Sequence, residues 1–152
     1  LRNDALWVEK AAEVSAMTRD IVEFMIEIGL DNPKPPEELT VAYHSACSMQ
    51  HGQQLKDEPK ALLEDAGFRV TTPREPHLCC GSAGVYNIMQ PKIAGQLKER
   101  KAGNLNALEA DIIAAGNIGC LTQLKSSVHA PIVHTVELLD WATGGPKPKK
   151  LG

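Results

Sequence analysis

Residues 68–84 read FRVTTPREPHLCCGSAG, a stretch that joins a predicted strand to the most unusual residues of the chain. Its first part, FRVTT at 68–72, is rich in β-branched and apolar residues, which predicts a short strand. Two adjacent cysteines, Cys79 and Cys80, follow it. Successive side chains of a regular strand point to opposite faces, so both sulfurs can reach one centre only from a loop. The stretch therefore predicts a strand that leads into a cysteine-bearing loop.

The same strand-then-helix pattern recurs after residue 38. Strands are predicted for LTVAYH (39–44), FRVTT (68–72), DIIAAG (111–116) and PIVH (131–134), and helices for 57–67, 91–110, 120–127 and 135–142. Strands that alternate with helices form a parallel sheet on which the helices pack, through right-handed connections. We therefore expect an α/β fold with a four-stranded, mainly parallel sheet.

The amino-terminal region is predicted to be one long amphipathic helix over residues 4–29, because apolar residues recur there every three or four positions. The predicted organisation is a lead-in helix (1–30), a Pro-rich linker (31–38), a cysteine-rich domain (39–145) and a flexible tail (146–152). The sequence begins with Leu rather than Met, so we expect a piece of a longer protein. The isolated piece would then expose the apolar side of its helix and self-associate.

Composition excludes several classes of protein. The chain has 152 residues, of which 43% are hydrophobic, and this is enough for one domain with a real core. Its formal net charge is −3 with acids and bases interspersed, which is unlike a nucleic-acid-binding surface. No apolar run is long enough to span a bilayer, and no secretory signal is recognisable. We expect a cytoplasmic protein, in which clustered cysteines more often bind metal or catalyse than form disulfides.

All four cysteines follow predicted strands. Cys47 comes three residues after the first strand, Cys79 and Cys80 come after the second, and Cys120 comes after the third. In a parallel sheet these loops meet at the carboxyl edge, where open α/β folds bind their ligands. Gly81 would let the chain turn sharply and let its backbone approach a cluster closely. The pattern therefore predicts a metal or cluster site built by these four cysteines.

Other readings of the cysteines remain open from the residues alone. Buried free thiols are common, because cysteine is among the most buried residue types. A thiol redox enzyme usually shows Cys-x-x-Cys, which is absent here. Structural zinc suits four thiolates, although its close cysteine pairs are usually two to four residues apart rather than adjacent.

Several polar residues near these loops are further candidates for the site. His44 ends the first strand, so it could bind the metal, donate a hydrogen bond to a sulfur, or be an ordinary polar residue. His51 and His77 are expected at the surface. Asn117 is expected to shape the backbone before Cys120.

Three longer stretches carry a family resemblance. These are YHSACSMQHG (43–52), HLCCGSAGVYNIMQP (77–91) and NIGCLTQL (117–124), with 31 residues between Cys47 and Cys79 and 39 between Cys80 and Cys120. They resemble the cysteine-rich CCG domain of 2-hydroxy-acid-oxidising complexes. Within that family they are similar to the carboxy-terminal part of glycolate oxidase (glycolate dehydrogenase) iron–sulfur subunits.

The resemblance implies an electron-transfer module rather than a catalyst. It implies an iron–sulfur cluster, of the [4Fe–4S] type, held by the four cysteines. It also implies flavoprotein subunits as partners, and an amino-terminal ferredoxin-like region and a first CCG domain in the same subunit. Through that complex the chain would work in the cytoplasm or at the inner face of the membrane, and alone it would not oxidise glycolate.

The chain departs from the family pattern at one position. Gln123 stands where the full pattern has a final cysteine, which leaves four thiols rather than five. Four thiolates suffice for an ordinary [4Fe–4S] cluster, whereas an arrangement with five thiolates becomes doubtful. The departure keeps a structural or docking domain with a zinc or empty site as the alternative. A third reading is a catalyst that acts on a 2-hydroxy acid or heterodisulfide by itself.

Overall fold

The sheet has four strands, all parallel, in the order β2-β1-β3-β4. The structure is a computed structural model that describes residues 1–35 and 37–152. The strands are β1 (Thr40–His44), β2 (Arg69–Thr71), β3 (Ile112–Ala115) and β4 (Ile132–His134). Each lies within the segment predicted for it, and the predicted α/β fold with a four-stranded parallel sheet is confirmed.

Seven α-helices accompany the sheet in the described residues. They are α1 (Val8–Met17), α2 (Ile21–Ile28), α3 (Glu58–Asp65), α4 (Tyr86–Met89), α5 (Pro91–Asn106), α6 (Ile118–Leu124) and α7 (Thr135–Ala142). A single π-helical turn (Ser48–Gln53) follows β1, and a 3₁₀ turn (Lys149–Leu151) lies near the carboxyl end. The π-helical turn and α4 were not predicted, and both lie in loops that carry cysteines.

The centre of the sheet is the centre of the core. All four residues of β3 are buried, and so are the last four residues of β1 beside it. Alanines at Ala42, Ala114 and Ala115 have no exposed surface, because helices pack closely over both central strands. A strand that is buried on both faces has a continuous apolar sequence. This is why DIIAAG could be predicted as a strand.

The prediction of one helix over residues 4–29 is wrong. The helix ends after Met17, and Asp20 begins a new one with a capping box: its carboxylate accepts from the Val22 N–H at 2.9 Å, while Glu23 accepts from the Asp20 N–H at 2.8 Å. A capping box satisfies backbone donors that a continuous helix would satisfy internally, so it favours a break. Helix α1 buries no residue, whereas α2 buries Val22 and packs against α3.

The predicted linker and the predicted tail both contact the rest of the domain. The predicted linker (31–38) includes Pro36, which lies outside the described residues, and Lys34 donates its N–H to the Ala142 carbonyl at 2.8 Å. In the predicted flexible tail, Lys147 pairs with Glu37 at 3.1 Å and Lys150 Nζ donates to the Ile132 carbonyl at 3.0 Å. Among the described residues, no helix is both long and apolar enough to cross a membrane.

Candidate metal centre

The carboxyl edge of the sheet gathers the cysteines from three loops. Cys47 lies just before the π-helical turn after β1, Cys79 and Cys80 lie between β2 and α4, and Cys120 lies in α6 after β3. All four are free thiols. Cys80 and Cys120 are buried and their sulfur atoms are 3.3 Å apart, although 39 residues separate them in the sequence. The other two cysteines are half-buried.

The CCG loop turns its sulfurs inward because Gly81 has a left-handed backbone. Its φ is +88°, and a Cβ there would lie 2.4 Å from the Ala94 carbonyl oxygen, so only glycine fits. In this conformation the Gly81 N–H donates to Cys79 Sγ at 3.3 Å. The next N–H, of Ser82, helps to lower the pKa of Cys80. The loop backbone thus favours negative charge on both adjacent sulfurs.

Asn117 ties two of the cysteine loops together. Its side-chain oxygen accepts from the N–H groups of Gly119 at 2.9 Å and Cys120 at 3.3 Å, so it caps α6. Its amide nitrogen donates to Ser48 Oγ at 3.3 Å in the turn after β1. The predicted backbone-shaping role of Asn117 is confirmed.

The contact between Cys80 and Cys120 shifts the pKa values of the two thiols in opposite directions. The hydrogen bond between Cys80 and Cys120 lowers the pKa of Cys80 to about 4, helped by His44 and the Ser82 N–H. The same bond, together with burial, raises the pKa of Cys120. Burial also raises the pKa of Cys79. Cys80 is therefore the thiolate of this group, and a thiolate is the form that binds metals.

His44 is buried beside these sulfurs, near enough to Cys80 to help lower the pKa of that thiol. Its side chain is 1% exposed, and neither ring nitrogen makes a hydrogen bond of ordinary geometry in the described part of the chain. A ligand atom of His44 lies within 4.8 Å of the sulfurs of Cys80 and Cys120. Burial lowers the pKa of His44, which favours the neutral ring. An unpaired buried polar group is costly, so this ring calls for a ligand or a bound group that the cysteines share.

Lys101 is a residue of this region that sequence reasoning missed. It is 0% exposed, and its Nζ donates to the carbonyls of Glu75 at 2.9 Å and Pro76 at 3.2 Å, just before the CCG loop. Burial lowers its pKa, while the negative charge of Cys80 raises it. The sequence did contain a signal for its burial. Lys101 is four residues after Leu97 and four before Leu105, which places it on the apolar side of α5.

A cleft of about 320 Å³ opens over the cysteines, and among the described residues no Asp, Glu, Lys or Arg lines it. Its walls are Cys47, Ser48, Cys80, Ser82, Ala83, Gly84, Asn117, Gly119 and Cys120. The other histidines considered from the sequence, His51 and His77, are exposed, as predicted. Gln123, in the place of the fifth cysteine, accepts from Asn87 Nδ2 at 3.1 Å and so links α6 to α4.

The donor set fits a metal or cluster that prefers sulfur. Thiolates and imidazole are ligands for zinc and for iron–sulfur clusters, whereas Mg²⁺ and Ca²⁺ need oxygen ligands. The orphaned His44 ring and the low pKa of Cys80 are what such a group would require of its surroundings. Of the residues selected from the sequence, His44, Cys80 and Cys120 have ligand atoms within 4.8 Å of one another. Cys47 lines the same cleft, and Gly81 donates its N–H to Cys79 in the adjoining loop.

Comparison with known proteins agrees with this geometry. The family model of the cysteine-rich domain CCG matches residues 41–125. The glycolate oxidase iron–sulfur subunit of Escherichia coli is 37% identical over 142 residues, which are 93% of this chain and 35% of that protein. A probable glycolate oxidase iron–sulfur subunit of Bacillus subtilis is 28% identical over 95% of this chain and 35% of its own length.

A more distant relative is lactate utilization protein A of Shouchella clausii, 25% identical over 83% of this chain and 54% of its own length. The chain thus spans about a third of the two glycolate oxidase relatives and about half of this one.

Proposed function

The chain belongs to the cysteine-rich CCG domain family, and from this premise we propose that it is an electron-transfer module of a glycolate-oxidising or related 2-hydroxy-acid-oxidising complex. In this proposal Cys47, Cys79, Cys80 and Cys120 hold an iron–sulfur cluster. The observation that carries it is the convergence of four free thiols, from three loops, at the carboxyl edge of one sheet. The names of the relatives, iron–sulfur subunits of glycolate oxidase, supply the kind of cluster and of reaction.

We propose the [4Fe–4S] type, because four thiolates match its ligand number and Gln123 is engaged with Asn87. When bound, such a cluster supplies a centre that accepts and releases one electron at a time. The chain's own residues prepare its place: Cys80 is ready as a thiolate, and the N–H groups of Gly81 and Ser82 stabilise negative charge on the sulfurs. Lys101 adds a buried positive charge close by, and His44 is placed as a further donor or ligand.

The proposed partners follow from the proposed electron-transfer role. A flavoprotein subunit would oxidise the 2-hydroxy acid, and this module would carry the electrons onward. The ferredoxin-like region and first CCG domain expected in the same subunit would lie outside this chain. The exposed apolar residues of α1 and α2, among them Val14, Met17 and Phe24, are proposed to pack against that first domain.

A second candidate is a structural or docking domain with zinc. It is favoured by the thiol count, because four thiolates without a fifth are the usual ligand set of structural zinc. A zinc domain of this kind would carry no electrons and would act only by binding sister subunits.

Metal analysis of the anaerobically purified chain, with its visible and electron-spin-resonance spectra, separates the two. About four irons per chain are expected for a [4Fe–4S] cluster, with a redox-active signal that disappears in Cys80→Ser. Ser82→Ala is the matched control: it removes a hydroxyl from the same cleft but keeps the backbone N–H, so its iron should remain. One zinc and no colour in the unaltered chain would overturn electron transfer and support the second candidate.

A further inference from the structure

Three segments that build the carboxyl edge contain no formal charge. Residues 39–55, 76–91 and 112–124 include no Asp, Glu, Lys or Arg, although the chain has 16 Lys and Arg and 19 Asp and Glu residues. Burial explains this for the strands inside these segments. It does not explain the exposed positions of the π-helical turn, α4 and the start of α6, where a soluble surface ordinarily carries charge.

Large apolar side chains occupy these uncharged, exposed positions. Val85 is 68% exposed, Ile88 74%, Met89 70% and Ile118 73%, and together they are named here the neutral rim. The rim lies beside the cysteine cleft, because Ile118 stands between the cleft residues Asn117 and Gly119, and Val85 follows Gly84. The Asn87–Gln123 hydrogen bond of 3.1 Å joins the two helices that carry the rim.

The neutral rim differs from the other exposed apolar surface, that of α1 and α2. The first helix pair mixes its apolar residues with Glu9, Lys10, Glu13, Glu23 and Glu27. Exposed apolar groups without charged neighbours are the composition found at the centre of protein–protein interfaces, where Met is enriched and Lys, Glu and Asp are depleted.

We infer that the neutral rim is the docking surface for a partner protein that exchanges electrons with the cysteine site, and that the partner's own docking face is apolar and uncharged. This inference rests on the proposed function. A charged partner face would lose its hydration here without gaining an ion pair. Nucleic acid and anionic lipid headgroups need cations that the rim lacks. A small molecule would need an enclosed pocket, whereas these side chains stand outside the cleft.

The test measures binding of the intact iron–sulfur subunit, which contains this chain, to the separately purified flavoprotein subunit. Ile88→Asp and Ile118→Asp should each weaken the affinity by at least about tenfold, as expected for charges placed in an apolar interface. Ala107→Asp is the matched control, because Ala107 is exposed at the carboxyl end of α5, away from the rim, and it should bind normally. The affinity should change little from about 0.05 M to about 0.5 M salt, a range that screens exposed charge pairs.

Each contrary result overturns a distinct statement. If Ala107→Asp weakens binding and the rim variants do not, or if salt abolishes binding, the proposed docking surface is wrong. If the subunit forms a dimer that Ile118→Asp disperses, the occupant is a second copy and not the redox partner. Iron content and visible spectrum are recorded for every variant. If the rim variants keep their iron and their affinity, the docking surface is refuted and the proposed function is not. If the unaltered subunit contains no iron but still binds through the rim, electron transfer is refuted and the docking surface is not.

Discussion

The two edges of the sheet each carry a cleft, and the clefts differ in chemistry rather than in shape. The cleft at the amino edge is the larger, at about 510 Å³, and Glu38, Arg69 and Asp111 are among its lining residues. The cleft at the carboxyl edge is about 320 Å³; in the described part of the chain its lining includes no Asp, Glu, Lys or Arg but three cysteines. At the amino edge Asp111 is already engaged, since it accepts from the Thr40 N–H at 2.7 Å. At the carboxyl edge neither ring nitrogen of His44 makes a hydrogen bond of ordinary geometry within the described residues.

The comparison teaches that strand direction, not cleft size, locates the site. Loops after parallel strands meet at one edge only, so residues from distant parts of the chain can converge there. The following predictions test this difference, from the largest expected effect to the smallest.

Replacing a ligand at the carboxyl edge should abolish metal binding, and replacing a charge at the amino edge should not. Cys120→Ser is expected to lose most of its bound iron, because hydroxyl oxygen is a poor substitute for thiolate. Asp111→Asn should keep the full metal content. Iron and sulfide analysis of both variants decides the matter, and equal metal content in the two would remove the distinction between the edges.

The CCG loop should tolerate no side chain at Gly81. Gly81→Ala places a Cβ 2.4 Å from the Ala94 carbonyl oxygen at φ +88°, so the free energy of unfolding should fall by about 3 kcal/mol. Gly84→Ala is the matched control: its φ is +65° but nothing lies within 4 Å, and about 1 kcal/mol is expected. Denaturant unfolding measures both values. Equal losses would mean that backbone conformation alone, without the contact with Ala94, sets the requirement at Gly81.

The buried charge of Lys101 should affect electron transfer rather than only folding. In Lys101→Met the reduction potential should become more negative, because a nearby cation favours the reduced, more negative state of a cluster. Lys98→Met, on the same helix but at the surface beside Glu99, should leave the potential unchanged. Redox titration followed by visible absorbance makes the measurement. An iron-loaded Lys101→Met protein with the original potential would show that Lys101 only anchors the loop.

A small pH effect is expected at the entrance to the CCG loop. Hydrogen bonds from Arg100 and Asn104 lower the pKa of Glu75, so the folded state favours its ionised form. The stabilisation is complete above the ordinary carboxyl pKa of 4.5 and is lost as the pH falls through the lowered value. In Glu75→Gln the unfolding midpoint should vary less with pH below 4.5. A midpoint that varies as in the unaltered chain would assign the acid sensitivity to other carboxyl groups.

Local pattern was enough for much of the fold. All four strands lie within their predicted segments. A short run of β-branched and apolar residues predicts a buried strand from its own sequence, without knowledge of distant contacts. The break before Asp20 was missed although its signal is also local, the Asp-x-x-Glu of a capping box, because the apolar spacing continues across it. Lys101 was missed for a different reason: a lysine in an apolar register is read as exposed until its acceptors, Glu75 and Pro76, are known.

The sequence by itself determined that cysteines follow three strands of a parallel sheet, and this required only element order and the rule that such loops share an edge. Tertiary structure alone decided that Cys80 contacts Cys120, that His44 makes no hydrogen bond of ordinary geometry within the described residues, and that Gln123 turns to Asn87. It also decided the strand order β2-β1-β3-β4. The physical reason is distance along the chain. Each of these features depends on segments far apart in the sequence. The relative positions of those segments follow from packing of the whole core rather than from any local preference.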